Sequence, residues 1–152
     1  MESFQPFLNL FLAMKQLVPS MAYELGYTAP ISASIKTRVS KPVFVVGHIN
    51  QPQIAEKILE MGQADMCRMT RELISDPEMP LKARCGALED IRACVACNQA
   101  CIGHMLQACP ISCIQRPETG RELQYANLSK APSRKRILVA GGGPAGLKAA
   151  SI

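Results

Sequence analysis

The stretch CVACNQACIGHMLQACPISC, Cys94 to Cys113, holds five of the seven cysteines in the chain. Four are spaced Cys94-x2-Cys97-x3-Cys101-x11-Cys113. Three soft ligands on one tight loop, with a fourth returning from further along, can surround a cubane iron–sulfur cluster, in which each iron takes one thiolate. A four-thiolate zinc site is the rival, although zinc ribbons more often present two C-x2-4-C knuckles and only one is present here. Disulfides are a third use of such thiols, disfavoured in a reducing compartment. The fifth cysteine, Cys109, reads as a small buried apolar residue, and Cys67 and Cys85 read as packing. His104 raises a mixed cysteine/histidine site, against the simpler reading of a solvent-facing loop histidine.

A second group able to do chemistry lies near the end, in RILVAGGGPAGLKAASI. Gly141-x-Gly143-x-x-Gly146 follows an expected strand, Ile137 to Ala140, and opens a helix at Leu147. In that context the glycines are a dinucleotide fingerprint. Gly141 allows a tight turn, Gly143 lets backbone approach a pyrophosphate, and Gly146 lets helix and strand pack closely. Amide N–H groups at the helix start would hold the phosphates. The acidic residue expected about twenty positions further on falls beyond Ile152.

The elements that must position these groups alternate in type. TAPISASIKTRVS (28–40) opens with Thr28 as an N-cap, and Ile31, Ile35 and Val39 recur at helical spacing. Val43 to Val46 is polar on neither face and predicts a buried parallel strand that ends at Gly47. A helix follows, with Asn50 as its cap, Pro52 in its first turn, and a stripe of Ile54, Ile58, Leu59 and Met61 before Gly62 stops it. ADMCRM (64–69) predicts a second buried strand, then a polar turn at Thr70-Arg71 and helix through about Arg84. This is the βαβ rhythm of a parallel α/β fold. Residues 116–133 carry no clear period and read as a connecting segment. Two strands cannot close a sheet, and the last helix stops after one strand, so the sequence reads as a piece of something larger.

Composition supports a globular class. The 152 residues are 48% hydrophobic and 19% charged, and a net charge of +5 without aromatic interleaving argues against nucleic-acid binding. No run approaches eighteen apolar residues, so no membrane span is expected. The opening MESFQPFLNLFLAMKQLVPS suits an amphipathic helix better than a signal peptide, since it lacks a basic start and a small-residue cleavage site. The expected location is therefore cytoplasmic.

Parallel α/β strands, a four-cysteine loop and a dinucleotide fingerprint, in that order, resemble the iron–sulfur flavoenzymes of the trimethylamine dehydrogenase and 2,4-dienoyl-CoA reductase family, whose barrel is related to old yellow enzyme. The likeness runs over roughly residues 18–152 and is carried by ADMCRMTRELISDPEMPLKAR, EDIRACVACNQAC and SCIQRPETGRE. It implies the C-terminal part of a TIM (β/α)8 barrel over 1–92, with 1–17 atypical. An iron–sulfur loop and linker over 93–133 and the start of a Rossmann-like nucleotide-binding domain over 134–152 would follow. PVFVVGHIN would be strand seven and ADMCRMTRE strand eight.

The resemblance implies a [4Fe–4S] cluster on Cys94, Cys97, Cys101 and Cys113. It implies an FMN phosphate held by Gly47 and His48 from one loop and Thr70 and Arg71 from the next, with Arg71 pairing bidentately. Gly141, Gly143 and Gly146 would hold FAD, NAD(P) or ADP. The family often carries Gly-Arg where this chain has Thr70-Arg71, and Arg where it has His48. Arg68 stands in a strand, where its charge must reach solvent, a cofactor or a partner.

The implied function is that of an FMN- and [4Fe–4S]-dependent NADH:flavin oxidoreductase passing electrons between barrel flavin and nucleotide-binding domain. Its small-molecule substrate would be a methylated amine, oxidatively demethylated, or an unsaturated acyl thioester or enone, reduced. An electron-transfer flavoprotein is the implied protein partner. The residues name no catalytic acid or base. A small iron–sulfur or zinc-binding module, or a nonfunctional fragment, are the alternatives. Because two strands cannot close a barrel, a polypeptide limited to these residues is expected to unfold without cooperativity. A sharp thermal transition in circular dichroism would contradict that.

Overall fold

The computed structural model describes residues 18–125 and 131–150. The segment 1–17, read above as an amphipathic helix, lies outside the described residues. The chain divides into two compact units, Met1–Glu122 and Leu123–Ile152.

The first unit is built on one parallel strand pair. Strand β1 (Phe44–Val45) pairs with β2 (Met66–Cys67) in the register Phe44↔Met66 and Val45↔Cys67. The ladder continues through Asp65 N–H to the Val43 carbonyl and Arg68 N–H to the Val45 carbonyl, both at 2.8 Å. The Asp65 carboxylate accepts the Val43 amide at 2.7 Å, closing the end of the pair. Helix α1 (Ala29–Lys36) precedes β1, and α2 (Pro52–Glu60) is the crossover between the strands. The core is Ala29, Val45, Ile49, Ile58 and Ala64, with Ile54, Ala55, Cys67 and Met69 packed against it. Ile54 and Ile58 are one turn apart and bury the same face of α2, and Gly62, in the left-handed region at φ +66°, ends the helix as its sequence predicts.

Several expectations are corrected here. Leu59 and Met61 are exposed, so the inward stripe of α2 is narrower than the sequence suggests. Ile31, Ile35 and Val39 are also exposed, and the helix stops at Lys36. The face α1 buries is the small one, Ala29 and Ser32. Ser32 Oγ donates to the Ala29 and Gln63 carbonyls at 2.8 and 2.9 Å, which draws the helix close to the loop before β2. The strands are not buried on both faces: Val45 is 2% exposed but Phe44 is 61% and Met66 53%. Among the described residues nothing covers that second face. Neither Thr28 nor Asn50 caps its helix through its side chain. The Thr28 hydroxyl instead donates to the Val46 carbonyl at 2.6 Å, and Gln51, not Asn50, stands at the N-cap of α2.

Beyond β2 the expected turn at Thr70-Arg71 is already helix, α3 (Thr70–Ser75), and the helical pattern breaks at Asp76 before α4 (Met79–Arg84). Pro77 explains the break, because it disfavours helical backbone at the residue before it. A single 3-10 turn, Leu88–Asp90, leads into the cysteine segment, in which only α5 (Ile102–Leu106) is helical. Cys67 is half-buried in its strand as expected. Cys85 and Cys109 are exposed, so neither is the packing residue the sequence suggested.

At the junction of the two units is a short helix, α6 (Glu122–Tyr125), and the second unit carries α7 (Pro144–Ala150). Residues 137–140 form no strand ladder among the described residues, and Ile137 and Leu138 are exposed. A strand is defined by a partner, and no described segment supplies one. No helix among the described residues is long and apolar enough to cross a membrane.

Removing the side chain that joins crossover to strands tests this core. Ile58→Ala is expected to destabilise the protein by about 2–4 kcal/mol in denaturant titration, whereas Leu59→Ala, on the exposed side, is expected to change little.

Candidate cofactor site

Two recesses lie side by side at the carboxyl ends of the strands. The larger, about 370 Å³, is lined by Gly47 and His48 after β1 and by Arg68, Thr70 and Arg71 after β2, with Val46, Ile49, Thr28, Tyr27 and Glu72 around them. All four residues expected to hold a phosphate thus face one space. The volume sits near the lower end of small-molecule pockets, about 300–1,000 Å³.

The local roles differ from expectation in two respects. A Cβ on Gly47 would collide with the Thr28 hydroxyl, so this glycine is required by the α1–β1 contact. That steric demand stands beside the phosphate approach expected of it. Arg71 does not present an uncommitted fork. Its Nη1 donates to the Pro19 carbonyl at 2.7 Å and to Asn98 Oδ1 at 2.6 Å. Its Nε and Nη2 have no partner among the described residues, and a carboxylate or phosphate can still take that edge bidentately. Arg68 is exposed and lines the recess, which answers how its charge is accommodated.

His48 is buried, in the left-handed region at φ +50°, with Nδ1 2.8 Å from the Tyr23 carbonyl. Glu72 is also buried. Burial pushes its carboxyl up, against its own amide, Arg71 and His48. The carboxyl therefore holds its proton to higher pH than usual.

The second recess is lined by Cys94, Cys97, Cys101 and Cys113, together with Arg71, Asn98 and Gln115. The four expected ligands are thus gathered around one cavity. Cys109 and His104 are not among its lining residues; the His104 ring sits half-buried on α5, Nδ1 3.1 Å from the Pro110 carbonyl, rather than on a solvent-facing loop. Cys113 is brought back by Ser112 N–H donating to the Ala100 carbonyl at 2.8 Å. Left-handed Ala96 (φ +52°) and Asn98 (φ +58°) curl the loop between the cysteines. The Ala96 amide lies 3.4 Å from Cys94 Sγ, the N–H···S contact that stabilises a metal-bound thiolate. Burial pushes the Cys94 thiol up, against the Ala96 amide and Arg71. Among the described residues no three of His, Cys, Asp or Glu are grouped so as to hold a metal ion.

The sequence reading missed the residues that place this loop. Asp76 accepts the Arg92 amide at 2.9 Å and the Lys82 ammonium at 2.6 Å. Ser75, fully buried, donates to the Arg92 carbonyl at 3.0 Å. Gln115 Nε2 donates to the Ala93 carbonyl at 2.9 Å, and Asn50 Nδ2 to the Cys94 carbonyl at 3.0 Å. Polar residues embedded in the motifs, such as Ser75-Asp76 before Pro77, were the available signal.

In the second unit a Cβ on Gly146 would collide with the Gly141 carbonyl oxygen, so the turn itself requires glycine there. Gly141 is left-handed at φ +120°, and a Cβ on Gly143 would meet open space.

A parallel α/β unit with a basic recess at the carboxyl ends of its strands has the arrangement of the C-terminal end of an α/β barrel. Residues 19–89 match the NADH:flavin oxidoreductase / NADH oxidase family, and the chain belongs to that family. It is 40% identical over 143 residues to an NADH oxidase of Thermoanaerobacter brockii, covering 93% of this chain and 22% of that protein. It is 44% identical over 129 residues to a metal reductase of Desulforamulus reducens, covering 84% of this chain and 19% of that one. The solved structure of a 6-hydroxypseudooxynicotine amine oxidase from Pseudomonas geniculata superposes with a TM-score of 0.76 at 35% identity, over 88% of this chain and 21% of that one. The chain therefore spans about a fifth of the length of the relatives it matches.

The Asp76 contacts carry a pH dependence of known sign. Burial would raise this carboxyl, but the Arg92 amide, Lys82 and the Glu78 amide outweigh it and hold it below the usual carboxylate range. A depressed carboxyl stabilises fully above its unfolded value and loses that contribution as pH falls through the folded one. Melting temperature is therefore expected to fall below about pH 4. Asp76→Asn is expected to flatten that acid limb and to cost on the order of 2–4 kcal/mol at neutral pH.

Proposed function

We propose that the chain supplies the phosphate end of an FMN site and all four ligands of a [4Fe–4S] cluster in an NADH:flavin oxidoreductase-type enzyme. The observation that carries this reading is the adjacency of a basic recess and a four-cysteine cavity with one wall residue, Arg71, in common. His48, Thr70 and Arg71 would hold the phosphate, and Cys94, Cys97, Cys101 and Cys113 the cluster. When bound, FMN supplies hydride chemistry and the cluster single-electron chemistry. Four thiols lining one recess suit a group whose irons each take one thiolate, and a four-thiolate zinc ion is the alternative.

The contribution of the chain is therefore to bind and insulate two redox groups close together. Electrons would pass between the barrel flavin and a nucleotide held at Gly141, Gly143 and Gly146, whose close-packed turn supports that reading. An electron-transfer flavoprotein is the proposed onward acceptor. The substrate class is either a methylated amine, demethylated, or an enone or unsaturated acyl thioester, reduced. The reducing location expected from the cysteines fits all of these.

The test is composition. Protein purified anaerobically from the complete coding sequence is expected to carry FMN, iron and acid-labile sulfide. Serine at position 94, 97, 101 or 113 is expected to remove most of the iron, while Cys109→Ser and Cys85→Ser leave it. Colourless protein containing zinc overturns the cluster assignment. Arg71→Met is expected to weaken FMN binding about 10–100-fold, with riboflavin, which lacks the phosphate, little affected.

A further inference from the structure

Arg71 lines both recesses, and its position is set from the cysteine side. Asn98, between Cys97 and Cys101, accepts from Arg71 Nη1 at 2.6 Å. Through Nδ2 the same side chain donates to the Val18 and Pro19 carbonyls at 3.3 and 3.4 Å. Pro19 also accepts from Arg71. Asn98, Arg71 and the 18–19 backbone thus form one closed set of hydrogen bonds. Asn98 is left-handed, a conformation asparagine tolerates and most side chains do not. Its carbonyl accepts the Gly103 amide at 2.8 Å, which fixes the residue within the turn that carries Cys97 and Cys101. A long arginine side chain has many rotamers to lose on binding, and a partner that holds one of them lowers that entropic cost.

We infer that Asn98 is a positioning residue that couples the two sites: order in the cysteine loop holds Asn98, Asn98 holds the Arg71 guanidinium, and Arg71 so held binds the flavin phosphate. Loss of the metal group from the cysteines then loosens the phosphate recess. Linkage makes the effect reciprocal, so a bound phosphate also steadies the loop. The inference rests on the FMN reading above and adds to it the control of that site by its neighbour.

Three variants separate the side-chain contact from the loop conformation. Asn98→Gly keeps the left-handed backbone and removes the bonds to Arg71. Asn98→Asp keeps the acceptor for Arg71. Cys97→Ser disturbs the loop from the metal side. Dissociation constants for FMN and for riboflavin, measured by fluorescence on protein from the complete coding sequence, give the readout, with iron content measured alongside. Asn98→Gly is expected to weaken FMN about tenfold while riboflavin changes less than twofold. Asn98→Asp, which loses the Nδ2 donation to Val18 and Pro19 but keeps the acceptor, is expected to bind FMN more tightly than Asn98→Gly. Cys97→Ser is expected to reproduce the FMN-selective loss, and Asn98→Gly is expected to add little on top of Arg71→Met. Unchanged FMN binding in Asn98→Gly overturns the coupling while leaving the FMN site intact, as does an equal loss of FMN and riboflavin. A wild-type protein that binds neither flavin overturns the FMN reading, and the coupling with it.

Discussion

The cysteine loop is held in place by side chains that reach its backbone, and the arrangement of both recesses depends on those bonds. From Ile91 to Asn98 the chain makes no helix or strand, so its amides and carbonyls have no regular ladder to satisfy them. Asp76 takes the Arg92 amide, Ser75 the Arg92 carbonyl, Gln115 the Ala93 carbonyl and Asn50 the Cys94 carbonyl. Three consecutive residues are thereby pinned immediately before and at the first cysteine. The anchors come from the loop after β1, the end of α3 and the return segment after Cys113. Geometry at the strand ends is thus transmitted to the thiols by short, directional contacts.

Those anchors also explain why Lys82 matters although it touches neither recess. Its ammonium sits on Asp76 and also donates to the Asp90 carbonyl at 2.9 Å. It thereby joins α4 to the 3-10 turn that delivers the chain to Arg92. A carboxylate this well buried would be costly if left unpaired; paired with one ammonium and two amides, it becomes a rigid corner. Thr119 adds a second tie, donating to the Ile74 carbonyl at 3.2 Å. The loop is therefore clamped to α3 on both sides of its four cysteines.

How much of this was legible in the sequence follows from the range of each signal. The βαβ order and the crossover ending at Gly62 are local patterns, and each survives in the structure; the four spaced cysteines line one recess. Which face of a helix is buried depends on what else is present. The Ile31, Ile35 and Val39 stripe is periodic yet exposed, because α1 packs through Ala29 and Ser32 instead. Asn50 and Thr28 carry the right chemistry to cap a helix, and each is used for a tertiary bond over a long sequence separation. Single-sequence reasoning has no access to such competition. The grouping of Gly47, His48, Thr70 and Arg71 was legible through the family resemblance, and it fits parallel strands that bring their carboxyl ends to one side.

The His48 position shows how one residue changes the chemistry of a recess. Its Nδ1 faces a carbonyl, which can only accept, so the proton of the neutral ring resides on that nitrogen. The other nitrogen then carries a lone pair, and a neutral His48 has nothing to donate to a phosphate oxygen. Only the imidazolium donates from both nitrogens. An arginine, as the family often has there, would donate at any physiological pH. With histidine, the positive charge of the recess that does not depend on pH is that of Arg68 and Arg71, and burial raises the carboxyl of Glu72 beside them. The proposed phosphate recognition would therefore lean on Arg71, held by Asn98 and Pro19, with the His48 ring joining it as a donor only in its imidazolium form.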